Sequence, residues 1–590
     1  MLMLNFSSLI NLNHPQHYLH WSFISISEAN LIIIATMIII FGLAVTLPFP
    51  KPKQIFYHEE KDEKIAPPEP ANSQDAKMLT YKLRNLGLRL LPPTKLLPDR
   101  QPAYVASWIY VFGVATLAAL FMVILSGMVL AIGGVNWWHE SSVGHFFNSV
   151  HLWGVELFMA FMVIHLWGKF WMAAWRGKRA LTWMTGVLAF AVSILEAFTG
   201  YLSQQNFDSQ WIATNGKDAI NATGLGSFFN LMNFGQMLAW HIVLIPLALV
   251  AVVALHVVMV RVRGVSHPIQ KARGRSAKKA LRAAEAADWR GPNRRYDIIK
   301  EGSIAAVIVL LLVLGLAGVL SSPDDPPVTI ATWSKLAPAD FLATAASELN
   351  GTSETANYGP PYNNQNGSVQ KLGVSWQMLT GVHSRIDAAQ TFVLSPLSKF
   401  APDDSRLSSA LTKYNSASKK QQLAWANAYA KVVPRVIFFH NQPLVPKAND
   451  GPVPLMLSTE LTMARSGAID ADLLAQQPFY GTNYTKPLLF IEDGNYFSSL
   501  AQKQHLTGSQ WGVMNETGSF PGQPWLWLYT LWYQIPSFST SANVDLIAVY
   551  LTGLATLLLL AVPFIPGLRD IPKAIPVHKL IWRQYYKNKQ

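Results

Sequence analysis

The 590-residue sequence contains no cysteine, and only 14% of its residues are charged. A soluble globular chain carries about 25%. Much of this protein therefore faces something other than water. Without cysteine there is no disulfide, thiolate-held zinc, iron–sulfur cluster or covalently attached c-type haem. Any metal or haem must be held by His, Met or carboxylates. Acidic residues are also the scarcer sign, 34 against 47 Lys and Arg, for a formal charge of +13. Such a surplus can mark a nucleic-acid binder, but its placement along the chain points elsewhere.

What the sequence has instead is apolar length: 51% of its residues are hydrophobic. Runs near 30–49, 106–133, 147–174, 183–203, 237–260, 302–321 and 542–565 each approach the ~20 residues that cross a bilayer. The first starts too late for a signal peptide and has no Lys or Arg before it, so it reads as a true span. The basic residues alternate between connections: 51–105 holds 10, 169–183 holds 4, 261–300 holds 12 and 566–590 holds 6. By contrast 1–29 and 134–150 hold none, and 204–236 holds only Lys217. The long segment 322–541 is near neutral, with 14 Lys and Arg against 15 Asp and Glu. The positive-inside rule then places the N-terminus and the long segment outside, and the basic loops and C-terminus inside. The surplus reads as an orientation and lipid-headgroup signal, with no nucleic-acid partner. The expected fold is an all-α polytopic membrane protein.

Two spans carry paired histidines, His151 with His165 and His241 with His256, spaced 14 and 15 residues apart. At ~100° and ~1.5 Å per residue, each pair returns to roughly one helix face, with ~21–22 Å between its members. Facing helices would offer a pair of imidazoles at each of two depths. Such a site closes both faces of a haem iron and suits electron transfer. Ionisable residues inside a membrane are functional by default, although a lone histidine there can simply bridge helices. Gly113 and Gly127 lie 14 apart on a neighbouring span, as do Gly186 and Gly200 on another. Glycine lets a flat macrocycle or a helix backbone approach closely.

Four spans with G-x13-G, H-x13-H, G-x13-G and H-x14-H in that order resemble cytochrome b of the bc1 and b6f complexes. The longer second histidine spacing, the stretch HVVMVRVRGVSHP from His256 and the Gly200-Tyr201 pair are similar to the b6-type and related bacterial branch. The resemblance covers about 104–267 and resumes more weakly over 300–325 and 521–566. It implies a four-helix dihaem core at 104–267 and further core helices at 301–321 and 521–566. Around these lie an extra N-terminal span (1–50), a linker (51–103), a basic inside loop (268–300), an outside insertion (322–520) and a basic tail (567–590).

The resemblance further implies two non-covalent haems b, the outer on His151 and His241, the inner on His165 and His256, with the four glycines packing against them. Arg261 and Lys169 would serve the inner haem propionates or an inner quinone site; ordinary snorkelling is the plainer reading of both. The implied activity is that of the cytochrome b subunit of a bc-type quinol:cytochrome c oxidoreductase. Its substrate would be quinol from the quinone pool, menaquinol in the bacterial case. Its partners would be membrane lipid, a Rieske iron–sulfur protein and a c-type cytochrome, within a homodimeric complex in a bacterial cytoplasmic membrane.

The sequence departs from the family at the outer quinol region. The Pro-Glu-Trp-Tyr motif aligns with Pro521, Gly522, Gln523 and Pro524, so the proton-accepting carboxylate is missing. Tyr201, Tyr529 and Pro536 keep their places. Asp208 and Glu516 are the nearest outside carboxylates in sequence and are candidates to substitute. His383, His440 and His505 of the insertion are too scattered to suggest a metal site, and docking or capping is its expected role. Two other readings stay open: an electron conduit with an altered outer quinol site, and a structural anchor without haem.

Overall fold

The computed structural model describes residues 9–51, 53–54, 77–90, 92–270, 274–477, 481–507, 517–522 and 524–588. Residues 52, 55–76 and 91 of the linker expected at 51–103, together with Glu516 and Gln523, lie outside the described residues. Seven described helices are long and apolar enough to cross a membrane, and they coincide with the seven apolar runs. The protein is an all-α polytopic membrane protein.

The principal helices in chain order are α1 (Glu28–Thr46), α2 (Val111–Gly133), α3 (Ser142–Trp171), α4 (Ala180–Leu202), α5 (Phe207–Ala222), α6 (Phe234–Arg263), α7 (Ile298–Leu320), α8 (Pro338–Asn350), α9 (Val453–Arg465) and α10 (Val544–Ala561). All but α5, α8 and α9 are spans. Polar residues at their starts satisfy free backbone N–H groups. Ser27 accepts from Asn30 N at α1, Ser141 from Gly144 N at α3, Asn206 from Ser209 N at α5 and Asp297 from Lys300 N at α7. α2 stops at Gly134 and α6 at Gly264, both with positive φ, where a side chain would be strained. Among the described residues, strand structure is limited to short two-stranded antiparallel pairs, such as the hairpin of Tyr18–Trp21 with Ile24–Ser27 and the long-range pair of Arg100–Pro102 with Asn293–Arg295.

α3 is the centre of the bundle, packed along α2 and α7, while α4 packs along α6 and α10. Between spans in lipid, close packing and interhelical hydrogen bonds hold the contacts, and here indole N–H groups reach backbone carbonyls. Trp153 Nε1 donates to Ser321 O at 2.7 Å and Trp183 Nε1 to Leu559 O at 2.8 Å. The basic connections gather at one end. There Arg176 pairs with Glu285, Arg179 donates to the carbonyls of Gly264 and Glu285 at 2.9 Å each, and Trp582 donates to Tyr110 at 3.0 Å.

The N-terminal segment, α5 and the insertion gather at the other end. The core of the insertion does not stop at its chain boundary. Trp333, Phe341, Leu457 and Phe490 share one buried cluster with Tyr201, Phe207, Trp211 and Met237 from the bundle side. Lys217, the single basic residue of 204–236, is the polar clasp. Its Nζ lies 2.8 Å from Glu492 and 3.3 Å from Asp218, over the ring of Tyr358 at 5.2 Å. Burial pulls the Lys217 ammonium down, but Asp218, Glu492, Tyr358 and Glu354 around it lift it well above the usual lysine range.

Candidate functional site

Each of the four histidines lies against one of the four glycines. A Cβ built on Gly113 would meet His165 Cε1 at 2.9 Å, and one on Gly127 would meet His151 Cε1 at 3.1 Å. On the other side of the bundle, a Cβ on Gly186 would meet His256 Cε1 at 3.0 Å and one on Gly200 would meet His241 Cε1 at 2.5 Å. The glycines thus make room for imidazole rings from the neighbouring helix, a more specific role than the close approach expected from spacing. The antiparallel run of α2 against α3, and of α4 against α6, turns matching 14-residue intervals into two levels.

The second histidine interval is one residue longer, and the backbone absorbs the difference. Residues Trp240–Leu244 form a π-helical turn containing His241. Such a turn takes up one extra residue without ending the helix. A 15-residue spacing that includes it presents both side chains much as 14 α-helical residues would.

Hydrogen bonds meet Nδ1 of three of the four rings. Ser126 Oγ donates to the carbonyl of Met122 at 2.9 Å and so accepts from His151 Nδ1 at 3.0 Å. Thr185 Oγ1 donates to Thr182 O at 3.0 Å and accepts from His256 Nδ1 at 3.2 Å. His241 Nδ1 donates to the Glu196 carbonyl at 3.1 Å, with the Glu196 carboxylate at 3.2 Å. A proton on Nδ1 satisfies all three contacts and leaves a lone pair on Nε2, the arrangement a metal-ligating imidazole requires. His165 differs, because its Nδ1 is buried with no hydrogen-bond partner among the described residues.

The ring centroids of His151 and His241 are 6.1 Å apart at 87°. An imidazole nitrogen sits about 2 Å from a first-row metal. With about 1 Å from nitrogen to ring centre, two ligands across one ion place their centroids about 6 Å apart. The pair matches that separation. Among the described residues no cluster of three or more His, Cys, Asp or Glu could hold a bare ion. Two imidazoles alone suit a metal that brings its other donors in a macrocycle, so the donor set fits haem b.

A cavity of about 260 Å³ is lined by His151 and His241 themselves, together with Gly127, Glu196, Gly200, Tyr201 and Trp525. Of the residues expected in the outer quinol region, Tyr201 lines it, whereas Pro521, Gly522, Tyr529 and Pro536 do not. Gly522 N–H donates instead to Asn30 on α1 at 2.8 Å. Tyr529 and Tyr533 share a 3.0 Å hydrogen bond, and Tyr533 donates to Asp545 at 2.6 Å. Asp208 accepts from Thr517 N at 2.9 Å and is buried at the start of α5. The carboxylate that does line the cavity is Glu196, within α4. A search of the outer loops for a carboxylate passes over it. Its signal is an ionisable residue inside a span, as is that of Glu156, buried on α3 between its two histidines. At the other level, Lys169 Nζ stands over the Tyr110 ring at 4.2 Å and Arg261 lies beside Tyr296.

A family model described as cytochrome b(N-terminal)/b6/petB matches residues 156–327. Over that stretch the chain is similar to the cytochrome b/b6 family. It is similar to the menaquinol:cytochrome c reductase cytochrome b subunit of Bacillus subtilis (strain 168), 27% identical over 189 residues, 28% of this chain and 84% of the relative. It is also similar to cytochrome b6 of Heliobacterium mobile, 24% identical over 190 residues, 28% of this chain and 89% of that one. A chain of a solved hyperthermophilic respiratory complex III aligns over 66% of this chain and 96% of its own, at 16% identity and a TM-score of 0.30. The family match takes in the second half of α3 through α7 of this chain and stops just inside the insertion.

Proposed function

We propose that this chain is the dihaem cytochrome b subunit of a bc-type quinol:electron-acceptor oxidoreductase in a bacterial cytoplasmic membrane. The observation that carries this is the pairing of four histidines, at two levels, with four glycines that admit their rings. His151 and His241 would hold the outer haem, and His165 and His256 the inner one. Haem b, when bound, supplies one-electron chemistry between the two membrane faces and the quinone pool. The chain's own residues hold the imidazoles in the ligating tautomer, exclude water and keep the glycine faces open. The basic loops mark the cytoplasmic side, which puts the N-terminus and insertion outside. A Rieske protein and a c-type cytochrome would dock on that outside face, and Arg261 and Lys169 would serve propionates or a quinone inside.

A second reading has specific support: an electron conduit whose outer quinol site is altered. Gly522 replaces the expected carboxylate and is tied to Asn30, away from the cavity. The visible spectrum of the purified protein tests the shared premise. A reduced b-type band with two haems per chain supports both readings, and no band overturns them. An inhibitor of quinol oxidation at the outer site then separates the two, since the conduit does not bind it.

A further inference from the structure

We propose that residues 372–382 of the insertion are a membrane-embedded segment, seated in the lipid leaflet at the insertion's end of the bundle. The stretch LGVSWQMLTGV carries no charge, with Lys371 before it and His383 and Arg385 after it. An uncharged run of 10–14 residues is too short to span and suits an interfacial or re-entrant segment. Basic residues at its ends can reach headgroups.

The structure runs this segment down the outside of α10. Lys371 N–H donates to Asn543 Oδ1 at 2.7 Å, just before the helix. The Gln370 amide brackets its first turn, donating to Asp545 at 2.5 Å and accepting from Leu546 N–H at 3.2 Å. These bonds satisfy groups that a helix start leaves open. Trp376 Nε1 then donates to Tyr550 Oη at 2.6 Å. From Asn543 to Tyr550 is seven residues, about 10 Å along the helix axis. Trp376 therefore stands about 10 Å further along the span than Lys371.

At that depth the segment turns apolar side chains outward. Leu379 is 68% exposed and Trp376 45%, with Leu372, Val374 and Met378 also exposed. A second loop continues the patch. The would-be Cβ of Gly224 meets Thr380 Cγ2 and the Trp376 carbonyl at 3.0 Å, and Phe228 nearby is 67% exposed, its ring 5.7 Å from that of His383. The patch is continuous with the exposed face of α10, where Tyr550, Leu554 and Leu557 are also uncovered. In water so many large apolar groups together would be a liability. Beside a span, with a Trp–Tyr pair at its level, the matching occupant is lipid.

The cysteine-free sequence makes the test direct. Leu379→Cys and, separately, Met378→Cys in the full chain are labelled with a nitroxide in phosphatidylcholine–phosphatidylglycerol nanodiscs. Ser408→Cys on the insertion's exposed surface is the reference. The label at 379 should collide several-fold more with oxygen, relative to a water-soluble nickel chelate, than the label at 408. Equal ratios at 379 and 408 would overturn the proposal. Protection from both reagents would also overturn it, because the patch would then be covered by protein.

Discussion

The two histidine levels are built from the same parts but finished differently. At the outer level both rings are anchored through Nδ1, to Ser126 and Glu196, a cavity lies beside them, and a π-turn sets the angle of His241. At the inner level only His256 is anchored, to Thr185, while His165 Nδ1 has no partner among the described residues. The outer level also lies beneath the insertion, which shares its core with the end of α4. The difference teaches that holding the ring and admitting it are separate tasks. Glycine admits all four rings, whereas hydrogen bonds hold both rings of the outer pair and one of the inner pair.

The largest way to disturb that asymmetry is to loosen the roof. Lys217→Met leaves the part-buried Glu492 and Asp218 beside an apolar side chain; breaking a fully buried pair costs about 3–5 kcal/mol, and solvent access to the two acids puts this loss below that. The melting temperature should fall and the outer haem should become labile before the inner one. Adding Glu492→Gln should recover part of the loss. Gly200→Ala comes next, because its Cβ would meet His241 at 2.5 Å. Overpacking of this kind costs about 1–3 kcal/mol, and haem content should drop at the outer level alone. Gly127→Ala, facing its ring at 3.1 Å, should be milder.

Glu196→Ala removes the carboxylate beside His241. Losing an outer partner of a metal-bound histidine costs about 10–100-fold in affinity; the backbone carbonyl of residue 196 still accepts from Nδ1, so the loss here falls at the low end, about 10-fold. Haem titration should show that loss for one of two sites, with a changed redox midpoint for the same site. The smallest effect expected is that of Thr185→Val, about 1 kcal/mol for one hydrogen bond, seen as a modest loss of inner-haem retention on heating.

Much of this is legible in the sequence. The seven spans are, because an apolar run of bilayer length with almost no charge would be insoluble anywhere but in lipid. The histidine and glycine intervals are too, because α-helical periodicity turns spacing into depth. Other features depend on the chain meeting itself far along its length. Asn30 holding Gly522, or Lys217 holding Glu492, follows from no local pattern. The π-turn at 240–244 is also hidden, since the extra residue in the His241–His256 interval shows only as a number until the backbone reveals where it goes. Glu196 is visible as a residue but not as a neighbour of His241, 45 positions later.

The most direct measurement is the haem-to-protein ratio of His165→Ala in the purified full chain, read together with its reduced spectrum. The account assigns separate histidines to separate haems, so the ratio should fall from two to one while the outer haem's signature persists. Two haems retained at full occupancy, or a complete loss of haem from a folded protein, would contradict it.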